Sequence, residues 1–342
     1  MVKEIGFVAI GQAGGNIGAL LEKRGHDVFF LNTSEEDLNL LSQSLHKYHL
    51  KGGEGCNKDR NKAKKLLAAN VDEVLRQVQD VIQQKIVFVI FSSGGGTGSG
   101  MGPLMVELLQ QECAKQAGAV VVLPGHTETV KAHCNAYECA KELADIQDMA
   151  ATFFLDNDTR PNKLRINEVF VELFESFLKV PEHTSVRGNI DRAEVKEMLI
   201  TSGAAVIQKL VKQESTTAKL IDSLHKSIFA PYEQDKAIRY IALSAAGDIQ
   251  TEALEREFGV VLDAFQTYDA PATVCCLSGL SYPFTRILEI RDKVKENQSA
   301  ILESAKAVTV NKLSEDIDLF GGLSKPEPVR KTSSRDLLKK YL

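Results

Sequence analysis

Several absences narrow the class of this chain before any motif is read. No apolar stretch approaches the roughly 20 residues of a membrane span, so no membrane segment is expected. The six cysteines (Cys56, Cys113, Cys134, Cys139, Cys275 and Cys276) contain no C-x-x-C pair, and a disulfide framework is not indicated. Seven scattered histidines form no H-E-x-x-H pair, so a structural metal has little support. An excess of positive charge is also missing: 41 basic residues stand against 46 acidic ones, net −5. The body is therefore not an electrostatic nucleic-acid binder. No Gly-Lys-Ser/Thr occurs, which excludes the usual Walker loop. The opening Met-Val-Lys-Glu-Ile leads straight into a strand pattern; no secretory leader is expected, and the chain reads as cytoplasmic.

What is present is a chain of 342 residues, 44% hydrophobic and 25% charged, long enough for two ordinary globular domains. Its most informative stretch is Gly94-Gly95-Gly96-Thr97-Gly98-Ser99-Gly100, directly after the apolar run Ile86-Val87-Phe88-Val89-Ile90-Phe91. Glycines without Cβ let backbone amides crowd around an anion. A strand should end just before this loop and a helix begin near Met101, whose free amides and dipole favour phosphate. A second glycine segment, Gly11-Gln12-Ala13-Gly14-Gly15-Asn16, follows a strand pattern over residues 2–10. Further strands are predicted at 28–31, 119–123 and 152–155. One helix is predicted from about Leu66 to Ile82, another from 101 to 117. Alternating strands and helices predict a doubly wound α/β domain with a parallel sheet, whose ligands sit at the carboxyl ends of the strands. Both glycine segments fall there.

A dinucleotide fingerprint fits poorly. Ala13 stands where G-x-G-x-x-G needs its second glycine and Asn16 where it needs the third; the next strand ends in Asn32-Thr33, with no acidic residue for a ribose diol.

Ile166, Val169, Phe170, Leu173, Phe174, Phe177 and Leu178 form a broad apolar stripe, predicting a central helix over 163–181 buried between two layers. The expected organisation is a nucleotide domain at 1–162, this helix, a smaller α+β domain at 182–283, a C-terminal helix at 284–310 and a basic tail at 311–342. From Lys325 the tail carries six basic residues against two acidic ones, +4 on a body at −9. Leu337, Leu338 and Leu342 beside these cations suit a docking helix.

Three motifs together resemble the tubulin/FtsZ superfamily of self-assembling GTPases. Gly94–Gly100 matches its signature loop, Gly11–Asn16 looks like its first phosphate loop, and Asn189-Ile190-Asp191-Arg192-Ala193-Glu194-Val195 looks like its catalytic loop. They fall in family order, and the resemblance covers residue 2 to about 310. It implies a GTP/GDP- and Mg²⁺-binding protein of doubly wound fold that hydrolyses GTP. It also implies that Gly94, Gly95, Gly96, Thr97, Gly98 and Ser99 wrap the α- and β-phosphates, although Ser99 also suits a helix cap. Gly11, Gln12, Ala13, Gly14 and Asn16 would line the other side, with Gln12 nearest a Mg²⁺ carried by the nucleotide. Gly53, Gly55, Cys56 and Asn57 would sense the γ-phosphate. Asn157 and Asn167 match the guanine-contacting positions, Asn167 alternatively capping its helix, and Glu128 matches the ribose-contacting one. The stacking aromatic of FtsZ is replaced by Lys163.

Asp191 and Glu194, three apart at a helix start, could be a simple capping box. The resemblance implies instead that they enter the nucleotide pocket of the next subunit and polarise the attacking water, so that hydrolysis requires head-to-tail association. Gln12 and the short basic tail look more like the TubZ-type proteins that segregate plasmid or phage DNA, with the tail meeting a DNA-bound adaptor, than like the cell-division branch. A filament regulator that binds nucleotide without hydrolysis is the alternative of another class.

Overall fold

The computed structural model describes residues 1–41, 43–233 and 237–309. In chain order the elements are β1 (Ile5–Ile10), α1 (Gly11–Lys23), β2 (Asp27–Asn32), α2 (Glu35–Asn39), β3 (Lys47–His49), α3 (Arg60–Ala69) and α4 (Val71–Val81). There follow β4 (Ile86–Ser92), α5 (Thr97–Gln111), β5 (Gln116–Leu123), α6 (Val130–Asp145), β6 (Thr152–Asp156), α7 (Lys163–Leu178) and α8 (Arg192–Ile200). The last are β7 (Ala204–Val211), α9 (Thr217–His225), β8 (Ala237–Ser244), α10 (Thr251–Phe258), β9 (Val260–Thr267), β10 (Ala272–Leu280) and α11 (Phe284–Thr309).

The strands order as β3-β2-β1-β4-β5-β6-β7-β10-β8-β9 in one sheet. Pairing is parallel from β3 through β7; β10 then runs antiparallel to both β7 and β8, and β9 pairs parallel with β8. The chain starts in the middle and winds outward in both directions, the expected doubly wound order. The strands β1, β4 and β5 are buried along nearly their whole length, as strands covered on both faces must be. On one face lies α7, whose Phe170 and Phe174 pack with Phe153, Phe88 and Phe7 at ring separations of 5.7–5.9 Å. The second half of the chain, expected as a smaller α+β domain, contributes four strands to the same sheet, joined through the Thr152–Ala204 pair.

Three local expectations are corrected. The segment 11–16 is not a loop: Gly11, at φ +71°, turns the chain from strand to helix in one residue, so α1 starts there. The helix after the glycine signature starts at Thr97, four residues earlier than expected, and carries Pro103 as its seventh residue; the Ser99 carbonyl, which Pro103 leaves without a helical donor, accepts from Arg60 at 3.0 Å instead. The single helix expected over 66–82 is two, broken at Asn70, whose side-chain amide turns back to the Leu66 carbonyl at 2.8 Å.

Residues 1–297 form one compact unit, and residues 298–342 group separately. The basic tail expected at 311–342 lies outside the described residues. Among the described residues no helix is long and apolar enough to cross a membrane.

Candidate functional site: a pocket at the strand ends

The winding order leaves a crevice where β1 and β4 lie side by side while their chains leave for different helices. A cavity of about 380 Å³ occupies it. Ile10 and Ser92, the last residues of β1 and β4, line it together with Gly11, Gln12 and Ala13 from the start of α1 and Gly94, Gly95, Gly96, Thr97 and Gly98 from the start of α5. Two helix N-termini thus open on one cavity, and their unpaired amides and positive dipole ends suit an anion.

The third wall is the end of β2. Thr33 is fully buried, and its hydroxyl lies 2.8 Å from that of Thr97 and within reach of the Cys56 thiol at 3.4 Å. Asn32 fixes the turn, its side-chain Oδ1 accepting from the amides of Thr33 and Ser34. The loop over the cavity supplies Gly55, Cys56, Asn57 and Lys58. Asn57 and Lys58 are both in the left-handed region, at φ 42° and 56°. Such backbone persists only when its surroundings hold it. Here Lys131 donates to the Asn57 carbonyl at 2.9 Å, and the buried Asn135 of α6 donates to the Lys58 carbonyl at 3.1 Å. The same Asn135 amide reaches the carbonyls of Gly94 (3.3 Å) and Gly95 (3.1 Å). With these carbonyls turned to Asn135, the next amides, of Gly95 and Gly96, face away from it because the peptide unit is planar and trans.

At the opposite rim Glu128 lines the cavity and accepts from Asn157 (3.1 Å), the Gly125 amide (3.2 Å) and the Lys163 ammonium (2.6 Å). Burial works against its charge, but the bonds from Lys163, Asn157 and Gly125 outweigh this and hold the carboxyl below its ordinary range.

Other expected site residues lie around the cavity rather than in its wall. Gly14 packs on the Ile90 carbonyl, Asn16 is exposed on α1, and Gly53 is buried against Thr33. The Ser99 hydroxyl donates to the Gly95 carbonyl, and Gly96, not Ser99, is the N-cap of α5. Asn167 is buried in the second turn of α7; the cap of that helix is Asn162.

Asp191 and Glu194 are elsewhere. They form the capping box of α8: Asp191 Oδ1 accepts from the amides of Ala193 (2.7 Å) and Glu194 (2.9 Å), and Glu194 Oε2 accepts from the Asp191 amide at 2.7 Å. The helix is tied to Glu4, just before β1, through Lys196 and, at 3.7 Å, Arg192. Glu4 and Gly11 bracket β1, so α8 and the cavity sit at opposite ends of a strand about 20 Å long. No ion pair engages either carboxylate among the described residues.

The comparisons with known proteins agree with this geometry. Residues 4–162 match the family model described as "Tubulin/FtsZ family, GTPase domain". These residues are a tubulin/FtsZ-family GTPase domain. The chain is similar to the tubulin-like protein TubZ of Clostridium botulinum C phage, 28% identical over 358 residues, covering 95% of this chain and 99% of that protein. The crystal structure of Clostridium botulinum phage c-st TubZ superposes with a TM-score of 0.80 at 27% identity, covering 88% of this chain and all of that one. A GTPγS-form protofilament of Bacillus thuringiensis serovar israelensis TubZ shares the fold, at TM-score 0.75 and 16% identity over 90% of this chain and 95% of that one. The family is one of filament-forming GTPases that bind GTP or GDP.

For this GTPase domain the cavity brings together most of the glycine-rich residues named from the sequence. Thr33, Lys131 and Asn135 were not expected. A closing polar pair after an apolar strand, Asn32-Thr33, was the one available signal for the first. No local pattern distinguishes Asn135 from any other helix residue.

Proposed function

We propose that this chain is a self-assembling GTPase of the TubZ type, whose filaments move plasmid or phage DNA in the cytoplasm of a prokaryotic cell. One observation carries the assembly part: the cavity opens at the carboxyl ends of the strands, while Asp191 and Glu194 cap a helix tied to the amino end of β1. Stacking one copy on another brings the acidic end of the upper subunit to the open pocket of the lower. Such a contact is heterologous and propagates.

In the pocket the amides of the α1 and α5 starts, with Thr97, take the phosphates; Gly53, Gly55, Cys56 and Asn57 sense the γ-phosphate. Glu128 meets the ribose, and Asn157 and Asn167 meet guanine through paired donor and acceptor edges. Mg²⁺ usually needs only one or two protein oxygens beside the phosphates. The oxygen-bearing wall, Gln12 above all, fits that need, and the ion would offset phosphate charge. Asp191 and Glu194 each have one oxygen outside the capping box with which to orient the attacking water of the neighbour's site. The DNA-segregation role, and an adaptor bound by the basic tail, rest on the resemblance over nearly the whole chain.

Phosphate release measured against protein concentration tests the proposal. Turnover per subunit should rise steeply above a threshold and collapse in Asp191→Ala, with GTP binding retained. Turnover independent of concentration would overturn it and favour a non-assembling nucleotide-binding protein.

A further inference from the structure

A buried charge cluster lies behind the nucleoside rim of the pocket, centred on a residue that none of the motifs above includes. Arg286, in the first turn of α11, is 3% exposed. Its Nε donates to Asp156 Oδ2 at 2.7 Å; its Nη2 donates to Asp158 Oδ2 at 2.6 Å, to the Pro124 carbonyl at 2.9 Å and, more weakly, to Asp156 Oδ1 at 3.3 Å. Glu289, one turn on, stands 3.6 Å from Nη1. Asp156 ends β6, and Pro124 follows the end of β5. One guanidinium therefore ties together two adjacent strand ends and the start of the C-terminal helix.

The two carboxylates it holds flank Asn157. That residue's amide donates to Glu128 at 3.1 Å, and Glu128 lines the pocket. Asp158 also accepts from the His126 amide at 2.9 and 3.0 Å, and its own amide donates to Asp156 Oδ1 at 3.0 Å, so the turn carrying Asn157 is closed on both sides. A planar fork with five donors suits this task and a point charge does not.

We propose that Arg286 is a positioning residue for the nucleoside end of the pocket. By clamping Asp156 and Asp158 it fixes the Asn157 carboxamide and, through it, Glu128, and it makes nucleoside recognition depend on how the first turn of α11 is seated. Linkage is reciprocal, so any contact that shifts that turn changes GTP affinity by the factor with which GTP resists the shift. The proposal deepens the assignment of Asn157 and Glu128 to base and ribose made above and rests on it.

The test compares two probes on the full-length chain: GTP, which uses both ends of the pocket, and inorganic tripolyphosphate, which uses only the phosphate end. Arg286→Met leaves two carboxylates without their partner, and GTP affinity should fall by about tenfold or more; tripolyphosphate affinity should change less than about twofold. Preference for GTP over ITP, which lacks the 2-amino group, should narrow in parallel. Should Arg286→Met fail to fold, Asp158→Asn keeps the buried Arg286–Asp156 pair and should give the same selective loss at smaller size. Arg286→Lys should recover only part of the affinity. Equal weakening of GTP and tripolyphosphate, or GTP affinity unchanged in a folded variant, overturns the proposal. A wild-type chain that binds tripolyphosphate but shows no preference between GTP and ITP overturns the base-contact assignment itself, a separate failure.

Discussion

Lys196 of α8 donates a hydrogen bond to Glu4, the residue immediately before β1, while Arg192 approaches the other Glu4 oxygen at 3.7 Å. This contact fixes the helix that Asp191 caps at the far end of the sheet from the pocket. It also carries a pH signature. The Lys196 bond, opposed by burial and aided by nearby positive charges, holds the Glu4 carboxyl below the ordinary value of 4.5.

A carboxyl held low in the folded state stabilises it fully above the ordinary value, and that stabilisation is lost as pH falls through the lowered value. Glu4→Gln should therefore cost about 0.5–1 kcal/mol at pH 7, the scale of a partly exposed pair. The gap between wild type and variant should close as pH drops below 4.5. Denaturant titrations at pH 7, 5 and 3.5 would show it; a gap that stays constant with pH contradicts the assigned role of Glu4.

Two glycines near the pocket should respond oppositely to the same substitution. A methyl at Gly14 would stand 2.3 Å from the Ile90 carbonyl, whereas one at Gly95 meets nothing within 4 Å. Gly14→Ala should destabilise the fold by roughly 2–3 kcal/mol, the scale of overpacking a tight interior. Gly95→Ala should fold like the wild type and weaken nucleotide binding. Thermal unfolding with and without GTP separates the two; a destabilised Gly95→Ala of normal affinity would be the contrary result.

Asn135 joins two pocket loops through the carbonyls of Lys58, Gly94 and Gly95. Asn135→Leu removes the side-chain donor of the Lys58 and Gly94 carbonyls, while Gly95 keeps the Ser99 hydroxyl, and should cost about 1–3 kcal/mol of stability. It should also lower affinity for GTP more than for GDP, since the Lys58 loop is the one assigned to the γ-phosphate. Paired titrations with GTP and GDP check this; equal losses for the two would remove the γ-phosphate assignment from that loop.

The first half of the fold was legible because its signals are local. Apolar runs such as Ile86–Phe91 become β4, and glycine segments at their ends become helix starts on one cavity. The stripe from Ile166 to Leu178 became α7 because seven apolar residues at helical spacing leave only one way to be buried. Continuity of the sheet into β7, β10, β8 and β9 was not legible: it depends on pairing between distant segments, which no window of sequence contains. The site divides in the same way. Thr97 and Gly98 lie inside a motif, whereas Thr33 meets Thr97 from 64 residues away and Arg286 reaches Asp156 from 130. The capping-box alternative for Asp191 and Glu194 is realised in the structure, so the carboxylates hold α8 whatever else they do.

The most direct measurement asks whose pocket uses whose acid. Asp191→Ala is loaded with GTP labelled on the γ-phosphate, then mixed with unlabelled wild-type subunits and an excess of unlabelled GTP to block rebinding. If the acidic end of one subunit serves the pocket of the next, labelled phosphate is released on mixing and not from the variant alone. If the label stays intact in filaments that contain both proteins, the catalytic groups act within one subunit and the account is contradicted.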